Sequence, residues 1–340
     1  MSSDALAEAG RLLHFARTKT SWRSVTYPFR AIAPEKFKDK DLTANGERRA
    51  EIACAALKTL WLNTGTLCNI ECADCYIESG PRNDRLVYLS AREAEPFLDE
   101  ALALGAEEIG LTGGEPFMNP DAPALIEAAL ARGFSVLILT NAMRPMMRPH
   151  MKAALVKLRA RHGATLRLRI SLDHYTERLH DGERGAGGFQ ETMNGLSWLA
   201  AEGFSISVAG RLMWEESESE ARAGYARLFA ERGIAIDASD PAALALFPEM
   251  NANADTPEIT TACWSILGKS PEDVMCASSR MVVKRKGAAT PAVVACTLLP
   301  YDAEFELGAS LGEAMVPVKL NHPFCSQFCV LGGASCSPHG

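Results

Sequence analysis

From about residue 56 to residue 250 the chain alternates a short apolar run, a Gly-rich or polar break, and a longer amphipathic stretch. Parallel strands need a covered crossover between them, so this rhythm predicts βα units with helices packed on a parallel sheet. Strands are expected over 58–63, 108–112, 135–141, 165–173, 204–213 and 243–248. The intervening helices are best marked over 90–105, 121–133 and 188–203, each closing on the glycine that suits the position just past a helix. Six βα units fit the stretch, with no exact internal repeat and no low-complexity tract.

The flanks read differently. Residues 1–55 form a polar extension with a short helix expected over 5–17, followed by turn-rich text around Pro28, Pro34 and the run TANGE. After about residue 255 the rhythm changes, and CASSRMVVKRKGAATPAVVACTLLPYD reads as two strands joined by a Lys-Gly turn. The expected division is 1–55, an extension; 56–256, the βα body; and 257–340, a small α+β domain rich in cysteine.

Charge and apolar patterning exclude several classes. A net charge of −7 argues against a surface built to neutralise many phosphates, so no nucleic-acid partner is expected. No window approaches the roughly 18 apolar residues of a membrane span, and the first residues lack a signal-peptide core, so the expectation is a cytoplasmic protein. Lasting disulfides are rare in a reducing cytosol, and the ten cysteines therefore point to metal binding or redox chemistry.

Three of them crowd into CNIECADCY: Cys68, Cys72 and Cys75, in the pattern C-x3-C-x2-C directly after the first expected strand. A structural zinc site closes with four protein ligands, whereas iron-sulfur clusters are held by cysteine thiolates, normally one per iron. Three thiolates on one tight loop suit a four-iron cluster with one iron left open. The alternatives are a zinc knuckle or simply buried small residues. The loop's place at the carboxyl end of a parallel sheet, where such folds keep reactive sites, favours the cluster.

At this point the sequence resembles the radical S-adenosylmethionine (radical SAM) superfamily. The resemblance implies a partial (βα)6 TIM-like barrel and a [4Fe-4S] cluster on Cys68, Cys72 and Cys75, whose open iron chelates S-adenosylmethionine. Its reductive cleavage would give a 5'-deoxyadenosyl radical that abstracts hydrogen from a substrate. LTGGEP looks like the family's GGE motif. Gly113 and Gly114 would let backbone approach the cofactor, and Glu115 would accept from its ammonium group. Thr140 and Asn141 in LTNAM resemble the third-strand end that faces the cofactor. In SLDHYTERLHDGERG, Ser171 would face the ribose, Asp173 ribose or substrate, and Arg184 the methionyl carboxylate. The residue before the third cysteine is usually aromatic in the family but is Asp74 here. That puts the adenine ring contact in doubt and leaves the backbone at this point to bond the adenine edge.

Cys276 and Cys296 flank the expected hairpin, and Cys325, Cys329 and Cys336 follow in HPFCSQFCVLGGASC. This arrangement resembles the Twitch or shortened SPASM appendage, which carries an auxiliary [4Fe-4S] cluster. Cys276, Cys296, Cys325 and Cys329 are the expected ligands, with Cys336 as substitute; zinc is the competing occupant. A second auxiliary cluster is not expected from C-x3-C-x6-C. Cys54 and Cys263 read as ordinary buried thiols.

The expected function is thus a radical SAM oxidoreductase or C–H functionalising enzyme acting on an unidentified substrate. It would draw electrons from a reductant such as flavodoxin or ferredoxin, and the auxiliary cluster would assist electron transfer. A small molecule is favoured, because the N-terminal extension looks too short for a leader-binding domain; a peptide maturase is the alternative. A non-catalytic iron-sulfur or zinc regulator is the reading from another class. The seven histidines show no hydrolytic constellation. Weak candidates for substrate-side acid/base work are Asp173, His174 and Glu249, while His174 and His180 read as solvated loop histidines.

Overall fold

The computed structural model describes residues 30–336; the helix expected over 5–17 lies outside the described residues. Six parallel strands follow one another across one sheet: β1 (Thr59–Asn63), β2 (Glu108–Thr112), β3 (Ser135–Thr140), β4 (Leu166–Ser171), β5 (Ser205–Leu212) and β6 (Leu244–Pro248). All six stand within two residues of the expected bounds. The helices α1 (Ala91–Ala103), α2 (Ala122–Ala131), α3 (Pro149–His162), α4 (Glu177–Arg184), α5 (Gly188–Ala201) and α6 (Glu218–Glu231) cover the sheet. Of these, α3, α4 and α6 had no expected bounds. The strands do not close into a ring, so the body is a partial TIM-like α/β barrel.

Strand geometry sorts the apolar residues into two cores, because successive side chains point to opposite faces. Leu60 and Leu62 face outward with Ile109, Ile138 and Leu168 against helix residues such as Phe97, Leu125 and Leu196. Trp61 faces inward, with Leu137 and Met281. Helix α1 opens on Ser90, whose hydroxyl accepts from the Glu93 amide while the Glu93 carboxylate accepts from the Ser90 amide.

The C-terminal part continues the barrel's own sheet. Strand β7 (Ser279–Val283) runs parallel to β1, and β8 (Ala292–Val294) and β9 (Glu306–Gly308) add antiparallel strands beyond it, giving nine in all. The turn between β7 and β8 holds Gly287 at φ +80. The inner core runs without a break from Trp61 into Cys276, Phe328 and Cys329. Among the described residues no helix is long and apolar enough to cross a membrane.

Candidate active site

The three clustered cysteines share one cavity at the carboxyl ends of the parallel strands. Its volume is about 200 Å³, and Cys68, Cys72, Cys75, Gly113, Gly114, Thr140, Asn141, Ser171, Asp173 and Arg184 all line it. The separate sequence motifs therefore converge on one space. Among the described residues, no three His, Cys, Asp or Glu side chains form a group that could hold a single metal ion.

The two glycines act first on the cysteine loop. Gly114 donates its amide to the Gly65 carbonyl at 2.8 Å, and Glu115 donates to the Leu67 carbonyl at 3.2 Å. A Cβ on Gly114 would sit 2.3 Å from the Leu67 oxygen, and one on Gly113, at φ +138, would sit 2.4 Å from the Gly65 oxygen. Only a bare backbone lets the turn after β2 dock on the chain leading into Cys68.

Glu115 is buried behind this turn and is not among the residues that line the cavity. Its carboxylate accepts from Thr140 Oγ1 and the Asn141 amide, both at 2.8 Å, and from the Phe117 amide at 3.2 Å. Burial pushes its pKa up to about 7, against the pull of those three donors. Asn141 in turn donates through Nδ2 to Asn69 Oδ1 at 2.9 Å, inside the cysteine loop. The ends of β2 and β3 are thereby tied to the loop.

A second set of ties was not anticipated from the sequence. Glu183, at the end of α4, takes the Ala73 amide on its backbone carbonyl and the Asp74 amide on its carboxylate, both at 2.9 Å. Arg211, at the end of β5, donates Nη1 to Glu183 at 3.0 Å and Nη2 to the Asp74 carbonyl at 2.5 Å. Its guanidinium also lies 4.7 Å from the Tyr76 ring centroid. Both backbone groups of Asp74, expected to be open for a ligand, are therefore engaged. Aromatic surface in the cavity comes from Tyr76, one residue past the third cysteine, together with Phe247 and Phe328. An arginine near the end of a strand and a glutamate in a polar helix carry no signal until the fold brings them together; the ring beside Cys75 was the readable hint.

Asp173 and Arg184 form a two-pronged ion pair, Nε to Oδ2 at 2.6 Å and Nη2 to Oδ1 at 2.9 Å. Burial works against the charge on Asp173, yet Arg184 and then Arg211 hold its carboxyl below the usual range. His174, 2% exposed, does not line the cavity; Nε2 meets Glu216 at 2.9 Å and Nδ1 accepts the Thr176 amide at 2.9 Å. His180 is 0% exposed, and burial pulls it down to about 4. Neither is the solvated loop histidine expected: the rings of Tyr175 and Trp214 pack against His174, and His180 sits on α4 against Phe189. Glu249 is exposed just beyond β6 and is not among the lining residues.

In the C-terminal part, Cys276, Cys296, Cys325 and Cys329 line one small pocket walled by Val274, Met275, Leu298, Leu299, Val318, Leu320 and Phe324. Cys325 and Cys329 sit on one wide helical turn, Cys325–Leu331. Burial pushes Cys276 and Cys296 up to about 12, and Cys325 and Cys329 well above the ordinary thiol value. Four thiols in such an apolar pocket shed their protons only to a bound cationic centre, which fits a thiolate-ligated metal group. Cys336 is not in this pocket; it lines the larger cavity, its Sγ 3.5 Å from Thr297 Oγ1 and its carbonyl held by Arg169 at 2.9 Å. Cys54 and Cys263 are partly exposed rather than buried: Cys54 lies in an irregular segment and Cys263 opens the short helix Cys263–Leu267, both outside the sheet.

Comparison with known proteins agrees with this geometry. Residues 62–223 match the Radical SAM superfamily. The mycofactocin maturase MftC of Mycobacterium ulcerans is 33% identical over 138 residues, covering 41% of this chain and 35% of that protein. The subtilosin biosynthesis protein AlbA of Bacillus subtilis is 29% identical over 153 residues, 44% of this chain and 32% of that protein. The chain thus matches about a third of the length of these relatives. Streptococcus suis SuiB bound to S-adenosylmethionine shares the fold with a TM-score of 0.55 at 15% identity, over 75% of this chain and 64% of that one. The enzyme anSMEcpe with bound AdoMet superposes with a TM-score of 0.54 at 13% identity, over 77% and 81%.

Proposed function

We propose that this chain is a radical SAM enzyme that binds a [4Fe-4S] cluster and S-adenosylmethionine in the cavity at the strand ends and abstracts hydrogen from an organic substrate. The observation that carries the reading is the gathering of Cys68, Cys72, Cys75, Gly113, Gly114, Ser171 and Arg184 around one space. When bound, the cluster and S-adenosylmethionine supply one-electron cleavage of the sulfonium to a 5'-deoxyadenosyl radical.

The chain's own residues do the positioning. Cys68, Cys72 and Cys75 would hold the cluster by three thiolates, one fewer than its irons, which would leave a site for S-adenosylmethionine. Burial raises Cys68 to about 12 and Cys72 to about 11, so both stay thiols in the iron-free chain, and binding the cluster would have to displace their protons. Glu115 keeps Thr140 and Asn141 at the cavity wall. Ser171 offers a hydroxyl toward the ribose. Arg184 spends Nε and Nη2 on Asp173, leaving Nη1 as its donor for the methionyl carboxylate. Tyr76, Phe247 and Phe328 give the cavity an apolar wall that excludes water from a reactive radical.

The four cysteines of the smaller pocket hold an auxiliary [4Fe-4S] cluster that passes electrons, with a flavodoxin- or ferredoxin-type donor supplying the reducing equivalents. The substrate is a small molecule on this reading. A peptide is the second reading, supported by the likeness to MftC and AlbA, a maturase and a bacteriocin-biosynthesis protein.

The test is anaerobic reconstitution followed by dithionite and S-adenosylmethionine. 5'-Deoxyadenosine is expected from the wild-type chain and not from Cys72→Ala. An iron-loaded wild-type chain that makes none would refute the proposal.

A further inference from the structure

Arg280, on β7, is 0% exposed, and none of the ion pairs among the described residues includes it. All four of its hydrogen bonds go to backbone carbonyls: Cys276 at 2.6 Å and Ser279 at 2.7 Å from Nη1, Ala314 at 2.8 Å from Nε, and Val316 at 3.1 Å from Nη2. Carbonyl dipoles satisfy its N–H groups but leave its charge uncompensated, and a buried charge without a counter-charge is costly. The other fully buried arginine, Arg49, meets Glu258 at 2.6 Å. Arg280 therefore occupies a place where a counter-anion is missing, and Cys276, whose carbonyl it holds, lines the four-cysteine pocket.

We infer that Arg280 is the fixed positive charge of the auxiliary site: it compensates the negative charge of the metal-thiolate group bound by Cys276 and its three partners, and it raises that group's reduction potential. This rests on the auxiliary-cluster reading above. Four thiolates outweigh the positive charge of an iron-sulfur core, so the whole is an anion that gains one more negative charge on accepting an electron. A guanidinium locked by four carbonyls cannot swing away, and in an apolar surrounding its attraction for that added charge is screened little.

The role is one of tuning, distinct from tying down the chain. Arg280 also bridges the turn at Cys276 to the segment at Ala314 and Val316, so a structural contribution accompanies the electrostatic one. A substitution that keeps the charge and one that keeps only hydrogen-bond donors separate the two.

The experiment uses the full chain carrying Cys68→Ala, Cys72→Ala and Cys75→Ala, so that only the auxiliary site can bind iron, compared in three forms: Arg280, Arg280→Lys and Arg280→Gln. Iron and sulfide are counted after anaerobic reconstitution, and the midpoint potential is followed by EPR during reductive titration. The expected result is equal iron in all three, a potential close to wild type in Arg280→Lys, and a clear negative shift in Arg280→Gln. Equal iron with an unmoved potential in Arg280→Gln overturns the inference. If Arg280→Gln loads poorly, melting of the loaded and iron-free forms decides. Charge compensation predicts that this substitution lowers the melting temperature more in the loaded chain, and an equal loss in both forms overturns it. No iron in the form with Arg280 intact refutes the auxiliary cluster itself, a result distinct from an unmoved potential.

Discussion

Glu183 and Arg211 meet at 3.0 Å beneath the cysteine loop, and between them they hold both backbone groups of Asp74. The loop that carries Cys72 and Cys75 is thus fixed by two side chains from different βα units, with side chains 4% and 10% exposed. Removing Glu183 leaves Arg211 buried with only its longer contact to Asp173, at 3.8 Å, and breaking a buried pair in this way costs up to about 3–5 kcal/mol. Glu183→Ala is expected to lower the stability of the iron-free chain by an amount of that order in urea denaturation. The double substitution with Arg211→Met should cost less than the two single losses added together. Iron should also leave the loaded variant faster in the presence of a chelator. A single variant as stable as wild type, with unchanged iron release, would show that the loop is held by other contacts.

Gly114→Ala tests the docking of the two motifs. The added methyl has no room, because it would stand 2.3 Å from a backbone oxygen of the cysteine loop. The turn must shift, and overpacking of this kind costs about 1–3 kcal/mol. The loss should appear as a lower melting temperature together with weaker S-adenosylmethionine binding in calorimetry. Gly182→Ala, which like Gly114 has no positive φ and where nothing lies within 4 Å, is the control for the general effect of replacing a glycine.

Glu115 gives stability a pH dependence whose sign is fixed. Its folded pKa stands at about 7 against an ordinary 4.5, so between those values the folded chain keeps a proton that the unfolded chain releases. Stability from this group is fully present below about pH 4.5 and is lost as pH rises through about 7. At about 1.4 kcal/mol per pH unit, the whole span amounts to ~3 kcal/mol. Urea denaturation of the iron-free chain between pH 5 and pH 8 should show this decline in wild type and a flatter profile in Glu115→Gln. Parallel profiles would mean that Glu115 stays ionised in the fold.

The repeat of apolar run and amphipathic stretch sufficed to give six strands and three helices, since a strand buried on both faces and a helix with one wet face look different in text. The capping of α1 by Ser90 and Glu93 is equally local, although the expected bounds rested on the closing glycine. Local signals could not reveal that β7 pairs with β1, joining residues more than two hundred positions apart into one sheet, nor that Glu183 and Arg211 clamp Asp74. The place of His174 and His180 was misjudged because a loop's polarity in sequence says nothing of which rings fold over it. The grouping of Cys276, Cys296, Cys325 and Cys329 was suggested by the likeness of their order to a Twitch or SPASM appendage, whereas the separation of Cys336 from them depends on the path of the chain after Cys329.

That separation makes a prediction that distinguishes cysteines of one short segment. Cys325 and Cys329 share the pocket with Cys276 and Cys296, while Cys336 faces the space that contains Cys68, Cys72 and Cys75. Iron normally takes one thiolate per metal, so removing a pocket cysteine leaves an iron without its ligand. Cys325→Ala and Cys329→Ala are each expected to lower the iron content of the reconstituted chain by about four atoms, the content of one cubane. Cys336→Ala should retain the wild-type iron count and the EPR signals of both clusters. Its thiol is held by Thr297 and its backbone by Arg169, so the substitution removes only a buried sulfur and a weak hydrogen bond. A fall in iron for Cys336→Ala matching that of Cys325→Ala would place Cys336 among the ligands and require the chain after Cys329 to rearrange on metal binding.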